Sequence, residues 1–89
     1  MQTWIIKLGG AAKELFAALA SQTQAQYVIV HGGGALVDSW LKEAGFATAK
    51  HEGLRISPKE QMPYIVGALA GCANKQLMSQ AIIAGHKPV

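Results

Sequence analysis

Three consecutive glycines, Gly32-Gly33-Gly34, follow the apolar run Tyr27-Val28-Ile29-Val30-His31 and precede Ala35-Leu36-Val37-Asp38. A β-branched run that stops at glycines and restarts with helical spacing predicts a strand, a tight turn and a helix N-terminus. The first N–H groups of such a helix have no intrahelical partner and lie at the positive end of its dipole, so a phosphate or carboxylate binds there without a side-chain cation. Glycine removes the Cβ atoms that would hold such a ligand off. A second pair, Gly9-Gly10, closes the apolar run Thr3-Trp4-Ile5-Ile6-Lys7-Leu8. Lys7, near the end of that run, must snorkel, pair with a charge or hold a ligand anion, and the glycines beside it favour the anion. Either glycine turn read alone is consistent with tight packing; two at one sheet edge favour anion binding. Neither is a dinucleotide fingerprint, because Val37 stands where the third glycine belongs, and neither is a P-loop, because no Gly-Lys-Ser/Thr follows.

The remaining reactive side chains point less clearly. His31 has no carboxylate or cysteine near it in sequence, so it reads as a turn residue bonded to backbone rather than an acid, base or ligand. His51 and His86 have no metal-ligand spacing, and no metal site is expected. Arg55 on its own reads equally as a surface arginine. Cys72, among small residues, reads as core, and the Gly67, Ala68, Ala70, Gly71, Ala73 cluster predicts a helix that something approaches closely.

These residues require elements to position them. Thr3 to Leu8 reads as a strand buried on both faces, as in a parallel sheet. Ala12, Leu15, Phe16 and Leu19 form one helical stripe, and the strand from Tyr27 completes a βαβ unit whose strands run parallel. Lys7, Gly9, Gly10 and Gly32 to Gly34 then share the carboxyl edge of the sheet, where open α/β sheets bind ligands. A helix from about Ala35 to Ala44 carries Leu36, Val37, Trp40 and Leu41 on one side and Asp38, Ser39, Lys42 and Glu43 on the other, with Gly45 as its cap. Phe46 to Ile56 reads as a hairpin turning near Glu52-Gly53, with Arg55 at its far end. Ser57-Pro58-Lys59-Glu60 has the form of a capping box with proline at the first helical position. The helix it opens is expected to run to about Ala84 with Met62, Ile65, Val66, Leu69, Ala73 and Leu77 on one stripe. His86 to Val89 reads as the approach to another strand. The fold class expected is α/β, an open, mainly parallel sheet with flanking helices.

Composition sets the outer limits. The 89 residues allow one small domain, yet 51% are apolar and only 15% charged, a rich supply that suggests packing against further protein. The net charge of +3 comes from scattered cations without a basic run or aromatic platform, so no nucleic-acid partner is expected. One cysteine excludes an internal disulfide and suits a reducing cytoplasm. No apolar stretch reaches the ~18 residues of a membrane span, and no signal peptide is visible. An HGGG turn also forms oxyanion holes in lipase-like hydrolases, but no Gly-x-Ser-x-Gly elbow is present.

Ile6-Lys7-Leu8-Gly9-Gly10, Val28-Ile29-Val30-His31-Gly32-Gly33-Gly34, Val37-Asp38, Gly53-Leu54-Arg55 and Gly67-Ala68-Leu69-Ala70-Gly71 with Asn74-Lys75 together resemble the N-terminal part of acetylglutamate kinases, within the amino acid kinase family. The likeness runs in order along nearly the whole chain. It implies an amino acid kinase-like N-terminal lobe ending mid-fold, and ATP-dependent phosphorylation of the γ-carboxylate of N-acetyl-L-glutamate in arginine biosynthesis. By the resemblance Lys7 stabilises the phosphoryl group in transfer, and Gly9, Gly10 and Gly32 face the ATP phosphates. Gly33 and Gly34 hold the substrate through backbone N–H groups, and Arg55 pairs with its α-carboxylate. ATP with Mg2+ is implied, bound mainly by a C-terminal half that this sequence does not contain, and so is a homodimer or higher homo-oligomer. On this basis residues 1–89 alone are expected to be inactive; the alternative is a non-catalytic module that binds a small anion or an acyl amino acid.

Overall fold

The computed structural model describes residues 1–9, 12–22, 24–47 and 49–89. In chain order the elements are β1 (Gln2–Leu8), α1 (Ala12–Leu19), β2 (Ala25–His31), α2 (Gly34–Glu43), β3 (Ala49–His51), β4 (Leu54–Ile56), a 3₁₀ turn (Lys59–Gln61), α3 (Met62–Val66), a π-helical stretch (Gly67–Ala73) and α4 (Asn74–Ile83). They divide into two compact units, Met1–Gly32 with Asn74–Val89, and Gly33–Ala73.

In the first unit β1 and β2 pair in parallel, from Gln2 opposite Ala25 to Leu8 opposite His31. Parallel strands need a crossover, and α1 supplies it. The expected α/β class with a parallel sheet is what the chain adopts. Period-two alternation sets the two faces of the ribbon. Ile6, Leu8, Tyr27, Ile29 and His31 are half-buried, whereas Ile5, Val28 and Val30 on the opposite face are 75, 50 and 47% exposed. Burial of β1 on both faces is therefore not what this chain provides. A parallel sheet needs helices on both sides, and the unit's α1 and α4 leave one face uncovered. Phe16 of α1 and Ala81 of α4 are its buried apolar residues. The Phe16 ring meets His86 edge-on at 6.1 Å, and His86 Nε2–H donates to the Phe16 carbonyl at 2.8 Å.

The second unit is built on α2. Val37 and Leu41, four residues apart on one helix face, are its largest fully buried side chains and join Ile65 and Ala68 in a core flanked by Leu36, Trp40, Phe46 and Leu69. Gly45, with φ of +89°, ends the helix as expected. Its N–H bonds the Lys42 carbonyl and the Phe46 N–H bonds that of Leu41, the paired bonds of a Schellman cap. The hairpin also forms where expected, with Lys50 opposite Arg55 and His51 opposite Leu54. Glu52 and Gly53 both have positive φ, 51° and 80°, the primed two-residue turn that fixes hairpin register.

The long helix departs from expectation in three ways. Pro58 is extended, with ψ of 152°, and no side-chain cap bond forms, so Ser57 to Glu60 is not a capping box and Pro58 is not the first helical residue. Regular helix begins at Met62, with Pro63 in its first turn. The backbone then widens into the π-helical stretch, where Gly67 and Gly71 lower the preference for regular helix. The single stripe does not hold. Ile65 and Ala68 are buried, while Met62 and Val66 are 40 and 53% exposed.

Candidate functional site

Within the first unit, the register that sets Leu8 opposite His31 makes Gly9 and Gly32 the residues that follow the ends of two neighbouring parallel strands. A Cβ built at either glycine meets nothing within 4 Å, so the backbone there is open to an approaching ligand. Lys7 pairs with Val30 and is exposed on the uncovered face. Gly10 lies outside the described residues. His31, read from sequence as bonded to backbone, has its Nδ1 3.0 Å from the Gly32 carbonyl oxygen. Its Nε2 lies 3.2 Å from the Asn74 amide nitrogen, and Lys75 Nζ donates to Asn74 Oδ1 at 3.0 Å.

Within the second unit, α2 begins at Gly34 with its first N–H groups free of intrahelical partners. Gly34, like Gly32, has open space where a Cβ would stand, whereas a Cβ at Gly33 would lie 3.0 Å from Leu69 Cδ2 and 3.3 Å from Ala73 Cβ. A side chain at Gly33 would therefore press on its packing neighbours. Arg55 reaches from β4 to this helix. Its Nη1 is 2.7 Å from Asp38 Oδ1, and its Nη2 donates a long 3.4 Å bond to the Gly34 carbonyl. Arg55 Nη1 and Asp38 Oδ1 are both buried and neither has an aligned hydrogen bond. The short distance identifies a charge contact that sets the guanidinium beside the start of α2. A planar guanidinium beside a helix N-terminus suits a carboxylate.

Two participants were not legible in the sequence. Asp38 reads there as one of four polar residues on the outer face of α2, and only the hairpin, which brings Arg55 over that face, makes it a partner. Asn74 lies 43 residues from His31, with no local spacing to connect them. Other features lie apart from these groups. An open groove of about 460 Å³ in the first unit is lined by residues including Trp4, Ile6, Leu19 and Tyr27, away from the carboxyl ends of the strands. Among the described residues there is no cluster of three or more side chains suited to a metal ion, and no helix is long and apolar enough to cross a membrane.

The parallel α/β arrangement of these elements is amino acid kinase-like in fold. The chain superposes on smu.665 from Streptococcus mutans UA159 with a TM-score of 0.83 and 29% identity, over 99% of this chain and 38% of that one. Its sequence is similar to the acetylglutamate kinase of Aeromonas salmonicida, 50% identical over 94 residues that take in 94% of this chain and 36% of the relative. The acetylglutamate kinase of Vibrio vulnificus is 50% identical over 91 residues, 91% of this chain and 35% of the relative. The chain therefore spans little more than a third of the curated relatives it matches. No family model matches it.

Proposed function

We propose that residues 1–89 form the acyl-amino-acid-binding lobe of a kinase that transfers the γ-phosphoryl group of ATP to the γ-carboxylate of N-acetyl-L-glutamate, yielding N-acetylglutamyl phosphate and ADP, a step of arginine biosynthesis. The observation that carries this reading is Arg55, held by Asp38 beside the Gly34 carbonyl at the start of α2. In this reading Arg55 grips the α-carboxylate of the substrate, and the N–H groups of Gly33 and Gly34 hold substrate oxygens. Lys7 meets the charge that builds on the phosphoryl group, and Gly9, Gly10 and Gly32 let the ATP phosphates approach backbone. Phosphoryl transfer asks little covalent help of a protein; alignment of nucleophile and leaving group, with donors aimed at the equatorial oxygens, supplies most of the catalysis.

Mg2+ enters with ATP, and when bound it offsets phosphate charge. This chain's own contribution is to orient the acceptor and to meet phosphoryl charge with backbone donors and Lys7. Nucleotide binding falls mainly outside residues 1–89, and the complete protein is a cytoplasmic homodimer. The second reading is a binding module without turnover. Titration calorimetry with N-acetyl-L-glutamate and separately with ATP, together with an ADP-release assay, tests both. Uptake of the acyl amino acid without ADP release is expected of the 89-residue chain; tight ATP binding with no uptake of the acyl amino acid overturns the assignment.

A further inference from the structure

The polar chain Lys75–Asn74–His31–Gly32 carries a direction. Lysine only donates, so the Asn74 oxygen 3.0 Å from Lys75 Nζ is an acceptor and the amide nitrogen must face His31, 3.2 Å away. That nitrogen also only donates, so His31 Nε2 is the accepting, unprotonated ring nitrogen. The ring proton therefore sits on Nδ1 and is donated to the Gly32 carbonyl at 3.0 Å. One exposed cation thus fixes an amide, a histidine tautomer and a backbone carbonyl in turn.

We propose that His31 is a positioning residue that sets the orientation of the Gly32–Gly33 peptide for anion binding. A trans peptide is planar, with its C=O and N–H on opposite sides. Holding the Gly32 carbonyl toward His31 turns the Gly33 N–H the other way and prevents the peptide from flipping. Glycine on both sides of that bond would otherwise let it rotate freely, so a side-chain clamp is needed where a substrate donor must be pre-aimed. The inference rests on the reading of Gly33 as a substrate-binding residue, and it makes His31, Asn74 and Lys75 supports of the Gly32–Gly33 peptide rather than substrate contacts.

The test has a ligand-free arm and a ligand arm. Long-range proton–nitrogen NMR of the histidine rings in the 89-residue chain is expected to find His31 protonated on Nδ1, and Asn74→Asp, which replaces the donor with an acceptor, to move the proton to Nε2. Calorimetry with N-acetyl-L-glutamate is then expected to show about five- to tenfold weaker binding for Asn74→Asp and for His31→Phe, the loss of one pre-aimed hydrogen bond. His31→Asn, whose amide nitrogen can replace Nδ1, is expected to recover most of the affinity. A role confined to folding would lower the melting temperature of all three variants without separating His31→Asn from His31→Phe in affinity, and would overturn the proposal. A wild-type ring protonated on Nε2 overturns the positioning role alone. A wild-type ring protonated on Nδ1 in a chain that takes up no N-acetyl-L-glutamate overturns the substrate reading, and the role built on it. If Asn74→Asp does not fold, the two His31 variants decide.

Discussion

Asp38 Oδ1 stands 2.7 Å from Arg55 Nη1, joining the first turns of α2 to the hairpin strand β4. The Arg55 side chain is 18% exposed and that of Asp38 42%, so the pair is only partly shielded from water and its contribution to stability is modest. Its geometric effect is larger. The contact fixes where the guanidinium lies, which the flexible arginine stem would not do alone.

A double-mutant cycle of Asp38→Asn and Arg55→Gln, read by denaturant unfolding, is expected to give a coupling energy of ~0.5 to 1.5 kcal/mol. Additive losses would mean that the contact does not restrain Arg55.

The glycine triplet separates packing from binding. Gly33→Ala is expected to destabilise the chain by ~1 to 3 kcal/mol through overpacking, because its Cβ would meet Ala73 Cβ at 3.3 Å as well as the more adaptable Leu69. Gly34→Ala meets open space and is expected to leave stability within ~0.5 kcal/mol of wild type while weakening uptake of the acyl amino acid. Equal effects on unfolding would reduce the whole turn to packing.

Lys7 is exposed, so Lys7→Ala is expected to leave the unfolding midpoint unchanged. In an assembled kinase containing this lobe it is expected to lower turnover on the order of 10²-fold or more with little change in the Michaelis constant. Full activity at saturating substrate would return Lys7 to the role of a snorkelling surface residue.

The small residues of the π-helical stretch serve different purposes. A Cβ at Gly67 would lie 3.0 Å from the Trp40 ring, and Ala68 is fully buried, so the close approach predicted from sequence is met here within the second unit. A Cβ at Gly71 meets nothing within 4 Å. Gly67→Ala is expected to cost ~1 to 3 kcal/mol, and Gly71→Leu to leave the fold intact. Light scattering across dilution reads whether Gly71→Leu changes the mass of the complete protein; an unchanged mass would move any dimer contact away from this position.

The sequence was most legible where one local rule decides an outcome. Val37 and Leu41 follow helical spacing into the core, Gly45 caps α2, and Glu52-Gly53 turns the hairpin. It was least legible where the outcome depends on residues far apart. The Pro58 backbone is extended despite a helix-start pattern, because short-range preference is a weak prior that tertiary packing overrides. Met62 and Val66 stay exposed although helical spacing sets them on the stripe of Ile65, and the π-helical turns after them follow no regular period. The uncovered face of β1 and β2 reflects cover that these two helices do not supply. In the candidate site the glycines and Arg55 were legible as residue types, whereas Asp38 and Asn74 acquire their partners only through the fold.

The central claim is that Arg55 holds the α-carboxylate of an acyl amino acid, and the dissociation constant of N-acetyl-L-glutamate for wild type and for Arg55→Ala, by titration calorimetry, measures it most directly. The account predicts one-site binding by the wild type and a loss of ~2 to 5 kcal/mol, up to complete loss of detectable heat, in the folded variant. Equal dissociation constants for the two proteins would contradict it.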